Sequence, residues 1–92
     1  MPIEADGVAD DPEARILVDY KATRKVPLVA IIRCARIAIG RRLEIPVNES
    51  WEEPAVTDMD GQSVIMVLCA KEQEGRRVFI VKRARYKPKK GW

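Results

Sequence analysis

The side chains of this chain with the clearest capacity for binding chemistry lie in its last stretch, VFIVKRARYKPKKGW, residues 78–92. The apolar start of this stretch predicts a strand, and alternate residues of a strand share one face. Alternation therefore places Arg83, Arg85 and Lys87 on one face. Guanidinium groups form paired hydrogen bonds with phosphate oxygens, so this face is expected to attract a polyanion. The opposite face is predicted to carry Lys82, Ala84 and Tyr86.

The nucleic-acid prediction also includes cations and aromatic rings outside this face. Tyr86 and Trp92 offer surfaces on which bases could stack. The sequence has no RNP1 motif and no KH-type GXXG loop, so the prediction rests on charge. A basic tail that keeps the protein soluble explains the same run. The residues predicted to contact nucleic acid are Lys82, Arg83, Arg85, Tyr86, Lys87, Lys89 and Lys90, with Arg33 and Arg36 as a second patch.

The formal net charge of +3 conceals a segregated pattern. Residues 1–13 contain five acids and no base, a net −5, whereas residues 14–42 contain eight bases and one acid, a net +7. Residues 43–60 contain six acids and no base, a net −6, and residues 76–92 contain eight bases and no acid, a net +8. Such blocks create local fields that could pair within the fold, between copies or with a charged partner.

Catalytic side chains in familiar combinations are missing from the sequence. It contains no His, the commonest general acid or base, and neither a P-loop nor a dinucleotide-binding glycine motif. Asp58 and Asp60 before Gly61 resemble the opening of a calcium loop without its later ligands, so a turn is predicted. Cys34 and Cys69 stand in apolar surroundings and are predicted to be small core residues. We therefore predict a protein that is not an enzyme, with no metal and no cofactor.

Length and composition favour one globular domain. Ninety-two residues, of which 47% are hydrophobic and 34% charged, are typical of a single small domain. No run of about 18 apolar residues is present, and residues 1–14 lack the Lys or Arg of a targeting leader. Two distant Cys residues predict no disulfide framework. A cytoplasmic location without membrane contact is the resulting prediction.

The stretch VPLVAIIRCARIAIGRRL predicts a helix from about residue 26 to residue 39, with Pro27 in its first turn. At helical spacing, its predicted core stripe consists of Leu28, Ile31, Ile32, Ala35, Ala38, Ile39 and Leu43. The residues of a second stripe are Val26, Val29, Arg33, Arg36 and Ile37. Either another part of the chain covers this second stripe, or it forms a protein interface centred on Val29, Arg33 and Ile37.

Strands are predicted at ARILVDYKA, AVTDM, QSVIMVLCA and RRVFIVKRARY, with a short strand or extended link at LEIPV and a polar turn at NESWEEP. Asp60 and Gly61 predict a two-residue type I′ turn, and Gly75 a left-handed turn position. The last three strands then form an antiparallel meander. VIMVL and VFIV are apolar on both faces, which predicts central strands that are covered on both sides.

These elements predict an α+β fold in which one helix packs on a small, mostly antiparallel sheet, in the order β-α-β-β-β. A flexible acidic arm, residues 1–13, precedes a single domain, residues 14–86, and a basic tail, residues 87–92. The predicted function is contact with nucleic acid or a nucleoprotein complex through the basic end. The alternative is a protein–protein module, such as an assembly subunit, including a homo-oligomer, or an inhibitor encoded by a phage or other mobile element.

Overall fold

A computed structural model describes residues 3–8, 11–19, 21, 25–41, 46–57 and 61–88. Its elements are β1 (Ile3–Val8), β2 (Asp11–Val18), α1 (Leu28–Gly40), β3 (Ser50–Thr57), β4 (Ser63–Gln73) and β5 (Arg76–Tyr86). The strands form one sheet in the order β1-β2-β5-β4-β3, in which β2 and β5 are parallel and the other neighbours antiparallel. The predicted α+β fold, a helix on a small, mostly antiparallel sheet with a C-terminal meander, is confirmed.

The described residues of the acidic N-terminal segment, 3–8 and 11–13, lie in strands of the sheet. β1 pairs antiparallel with β2. Where residues 1–13 lie in these two strands, the structure shows strand pairing in place of the predicted arm. Glu4 accepts hydrogen bonds from Arg15 Nε at 2.7 Å and Arg15 Nη2 at 2.5 Å. Backbone pairing and this ion pair help to offset the entropy of ordering the segment. The composition of the segment could not show which base its acids would face.

The helix α1 covers one face of the sheet and closes the core on that side. Its buried side chains are Ala30, Ile31, Cys34, Ala35, Ala38 and Ile39. They pack with apolar side chains of the strands, among which Phe79 is the largest. Leu28 and Ile32 are only partly buried, and the predicted core residue Leu43 lies outside the described residues.

The predicted position of Val26 in the outward stripe of the helix is wrong. Val26 is fully buried in the core. The helix begins at Leu28, and Pro27, with φ −56° and ψ 140°, is the non-helical residue before it. Helical spacing therefore does not apply to Val26, and the chain turns its side chain inward.

β5 is the central strand and β4 lies beside it, as their apolar runs predict. One face of these strands carries Leu68 and Phe79 into the core under α1. The opposite face, here called the outer sheet face, is only partly buried. Val78 and Cys69 are buried outside the core cluster, and the half-buried apolar residues of this face are Leu17, Ile65, Val67 and Ile80. Coverage of both faces was predicted, and the structure shows it in full only on the helix side.

The connection between β3 and β4 is longer than predicted. Thr57 pairs with Ser63, so residues 58–62 join the two strands in place of the two-residue turn predicted at Asp60 and Gly61. Residues 58–60 lie outside the described part of the chain, and Gly61 has φ 79°. A glycine adopts this left-handed conformation without the steric cost of a side chain.

A two-residue turn instead joins β4 and β5. Gln73 pairs with Arg76, and the two residues between them, Glu74 and Gly75, have φ values of 52° and 76°. Positive φ at both central positions is what a type I′ turn requires. The left-handed position predicted at Gly75 is confirmed. Its neighbour Glu74 has a positive φ, a backbone conformation that is unfavourable for residues with a Cβ.

β3 begins earlier than predicted and forms one edge of the sheet. Ser50–Glu53 of the predicted polar turn NESWEEP are strand residues paired with β4. Pro54 is exposed within this strand, and the pairing register shifts between Glu53 and Val56. The short strand or extended link predicted at LEIPV lies partly outside the described residues, and its last two residues, 46 and 47, precede β3 without strand structure.

Glu53, which belongs to the predicted polar turn NESWEEP, is only 2% exposed. Trp51 Nε1 donates a hydrogen bond to Glu53 Oε2 at 3.3 Å, and Arg41 Nη1 lies 4.0 Å from Glu53 Oε1. Arg41 directly follows α1, so this carboxylate links the helix end to the edge strand. A buried carboxylate needs such partners, and the sequence alone does not show that they come together.

Replacing Glu74 with Asn should raise the free energy of unfolding by about 0.5–1 kcal/mol, because Asn tolerates positive φ better than Glu. Gly75→Ala should lower it by about 1 kcal/mol. An added Cβ at Gly75 meets no atom within 4 Å, so that loss would be purely conformational. Urea denaturation measures both changes, and an unchanged stability in Gly75→Ala would contradict the assigned turn.

The Glu4–Arg15 pair predicts a pH-dependent contribution to stability. The hydrogen bond and the charge of Arg15 hold the pKa of Glu4 below its ordinary value of 4.5. A carboxyl with a lowered folded-state pKa stabilises the fold above the unfolded pKa, and this stabilisation is lost as the pH falls through the folded pKa. Glu4→Gln should therefore flatten the loss of stability below pH 4.5 in urea denaturation.

The Arg15→Gln background supplies the control for this measurement. In that background, Glu4→Gln should leave the acid dependence of the urea midpoint almost unchanged, because the stabilising partner is already gone. Equal acid dependence in the wild type and in the single Glu4→Gln variant would show that the ion pair does not contribute.

Candidate nucleic-acid interface

A β-bulge in β5 changes which cations share a face. Val67 pairs with Arg83 and Leu68 pairs with Val81, so Lys82 is an extra residue in β5. In a bulge, two residues of one strand stand opposite one residue of its neighbour. Lys82 and Arg83 are both exposed, whereas the residues on either side of them, Val81 and Ala84, are buried in the core.

The predicted grouping of Lys82 with Ala84 and Tyr86 is therefore wrong. Simple alternation places Lys82 on the face of Ala84, but Ala84 is 4% exposed under α1 and Lys82 is solvent-exposed. The bulge adds one residue to the spacing, and Lys82 joins Arg83 on the solvent side. This correction enlarges the cationic surface of β5 by one ammonium group.

The exposed cations of β5 and its extension form one row. Arg83 stands opposite Val67 and Arg85 opposite Ile65, both residues of the outer sheet face. Lys87 continues the strand direction, with its backbone N–H bonded to Ser63 O at 2.7 Å. We call these four residues the basic row: Lys82, Arg83, Arg85 and Lys87. Within the described ranges, none of the four side chains forms an ion pair.

The basic row borders an apolar strip on the outer sheet face. The half-buried side chains of Ile65, Val67 and Ile80 lie beside it on β4 and β5. Glu52, on the edge strand β3, is exposed and stands opposite Val67 on the side away from Arg83. Along this line across the sheet, the face therefore changes from cationic at Arg83, through apolar at Val67, to acidic at Glu52.

Further bases at the other end of this face, among them Arg15 and Lys71, were not predicted as site residues. Arg15 of β2 pairs with Val78, which pairs in turn with Lys71 of β4. Arg15 is bound to Glu4, and Lys71 Nζ donates a hydrogen bond to Asn48 Oδ1 at 3.1 Å. Alternation along β2 and β4 could have placed both on the outer face, but only once the register with β5 was known.

The structure does not bring the other predicted nucleic-acid residues to the basic row. Tyr86 is half-buried and packs against the core on the helix side. Arg33 and Arg36 are exposed on α1, which lies on the opposite side of the sheet from the outer face. Lys89 and Lys90 lie outside the described residues.

Groups that could support other chemistry are sparse in the described part of the chain. No cluster of three or more His, Cys, Asp or Glu side chains in that part could hold a metal ion. Cys34 and Cys69 are both buried free thiols, and Cys34 Sγ lies 3.7 Å from the carbonyl oxygen of Val56. Among these same residues, no helix is long and apolar enough to cross a membrane.

No protein-family model, curated protein or solved structure matches the chain.

Proposed function

We propose that this protein binds nucleic acid, free or within a nucleoprotein complex, through the basic row, and that it does so without catalysis. The observation that carries the proposal is the alignment of four exposed cations along β5 and its extension, with no acidic partner among the described residues. Exposed cations that are not neutralised locally remain available for phosphate oxygens.

The spacing of the row suits a nucleic-acid backbone. Arg83 and Arg85 are two residues apart in one strand, so their Cα atoms lie about 6.6 Å apart, and Lys87 continues at a similar interval. This interval is similar to that between successive phosphates of an extended strand. Each Arg can donate two parallel hydrogen bonds to one phosphate, whereas Lys82 and Lys87 act as point charges.

The distribution of charge across the sheet favours one orientation of the bound nucleic acid. A polyanion that lies along β5 meets the whole basic row, whereas one that crosses towards β3 approaches Glu52. The apolar side chains of Ile65 and Val67 could contact sugar or base surfaces beside the phosphates. Such contacts do not read base edges, so binding is expected to tolerate many sequences.

Binding through four phosphate contacts should depend strongly on salt. The logarithm of affinity falls with the logarithm of salt concentration by about 0.7 per contact for single strands and 0.9 for duplex DNA. Raising the salt from about 50 to 200 mM should therefore weaken binding roughly 50-fold for a single strand and 150-fold for a duplex. Fluorescence anisotropy with labelled RNA and DNA oligonucleotides measures this dependence.

Matched double variants locate the contact. Arg83→Gln with Arg85→Gln should weaken binding and reduce the salt slope by roughly 1.4–1.8, because two phosphate contacts are removed. Arg33→Gln with Arg36→Gln removes the same two charges from α1 and should leave the slope unchanged. No binding at about 50 mM salt would refute the proposal, and an equal loss in both variants would show non-specific attraction to net charge.

A further inference from the structure

The outward side of α1 carries a groove between two rows of side chains. The residues that line this helix groove are Leu28, Val29, Ile32, Arg33, Arg36 and Ile37. They form two ridges of i, i+4 spacing, one from residue 28 to 36 and one from residue 29 to 37. Grooves between such ridges are where the ridge of another helix packs, most often at a crossing angle of about −50°.

Two large apolar side chains in the groove are exposed to solvent. Val29 is 66% exposed and Ile37 is 39% exposed. They are eight residues apart, which is about 12 Å along the helix axis, or a little over two turns. A partner helix with apolar residues on one stripe over two turns could cover both, as in helix-in-groove recognition.

The charge of the groove restricts the partner further. The sequence of α1 is LVAIIRCARIAIG, and its only charged residues, Arg33 and Arg36, both line the groove. Arg33 is exposed and lies midway between Val29 and Ile37. An acidic residue beside the apolar stripe of a partner would therefore meet a cation at the centre of the contact.

Two other occupants fit the groove less well. In a symmetric contact between two copies the same patch meets itself, so the central Arg33 side chains would face each other and repel. Nucleic acid would be attracted by Arg33, but it gains little from Val29 and Ile37 at the two ends of the groove. Apolar ends with a cationic centre instead match an amphipathic helix of opposite charge.

We propose that the helix groove binds an acidic amphipathic helix of another protein, with apolar residues over Val29 and Ile37 and Asp or Glu beside Arg33. The groove and the basic row lie on opposite sides of the fold, so this inference is independent of nucleic-acid binding. If both surfaces are used, the protein connects a nucleic acid to an acidic protein partner.

Three synthetic peptides of about 20 residues test the proposal with the full-length protein. They share one helical Leu stripe and carry Glu, Gln or Lys at the positions that border it. The Glu peptide should bind roughly three- to tenfold more tightly than the Lys peptide at about 50 mM salt. Anisotropy measures the affinities, and NMR should show the largest shifts at Val29 and Ile37.

Charge reversal supplies the decisive variant. Arg33 is exposed, so Arg33→Glu should preserve the fold while reversing the order of the Glu and Lys peptides. Arg83→Glu makes the same charge change on the basic row and should leave peptide binding unaffected, although it should weaken nucleic-acid binding. Ile37→Ser should weaken the binding of all three peptides. The NMR spectrum of each variant without peptide checks that the variant is folded.

Several results would overturn the inference. The inference fails if the Glu and Lys peptides bind with equal affinity or if no peptide binds. It also fails if the NMR shifts are confined to the outer sheet face. Loss of nucleic-acid affinity in Arg33→Glu would assign the groove to nucleic acid instead. Concentration-dependent dimerisation that Val29→Asp abolishes would assign the groove to a second copy instead. Because Arg83→Glu and Arg33→Glu act on separate surfaces, failure of this inference is distinguishable from failure of the proposed function.

Discussion

The parallel pairing of β2 with β5 joins the two halves of the sheet. One half is the β1–β2 pair and the other is the meander of β3, β4 and β5. Four residue pairs, from Arg15–Val78 to Val18–Val81, connect them, and Asp19 N–H continues the contact to Val81 O at 3.2 Å. Parallel neighbours need a long crossover, and the chain between β2 and β5 supplies α1 and the rest of the meander. The core under α1 and the outer sheet face both depend on this central ladder.

Much of the fold could be predicted because its signals are local. Helical spacing in residues 28–39 and apolar runs in β4 and β5 predicted these elements, and the left-handed conformation of Gly75 was predicted from residue type. The N-terminal strand was missed because its ordering depends on partners elsewhere, such as Arg15 for Glu4. The strand start at Ser50 was missed because a polar run hides the buried Glu53. Pairing between residues about 60 positions apart leaves no local pattern.

The candidate binding surfaces were predictable to a similar degree. Alternation correctly grouped Arg83 with Arg85 opposite residues of the outer sheet face. It misplaced Lys82, because a bulge arises from the fit of two strands and not from the sequence of one. Spacing also indicated the exposed Val29 and Ile37 on α1. Spacing could not show that Arg83 and Arg85 lie on the opposite side of the sheet from the two arginines of α1, because that separation follows from how α1 packs.

The edge strand β3 has a consequence for how this protein can assemble. Pro54 has no N–H to donate, and the register shift between Glu53 and Val56 interrupts the regular spacing of backbone groups. Another strand therefore finds a poor template on this side, which protects the sheet from edge-to-edge growth. The sheet therefore lacks a continuous edge for pairing along the full length of β3, and regular backbone pairing there is limited to the stretch before Pro54.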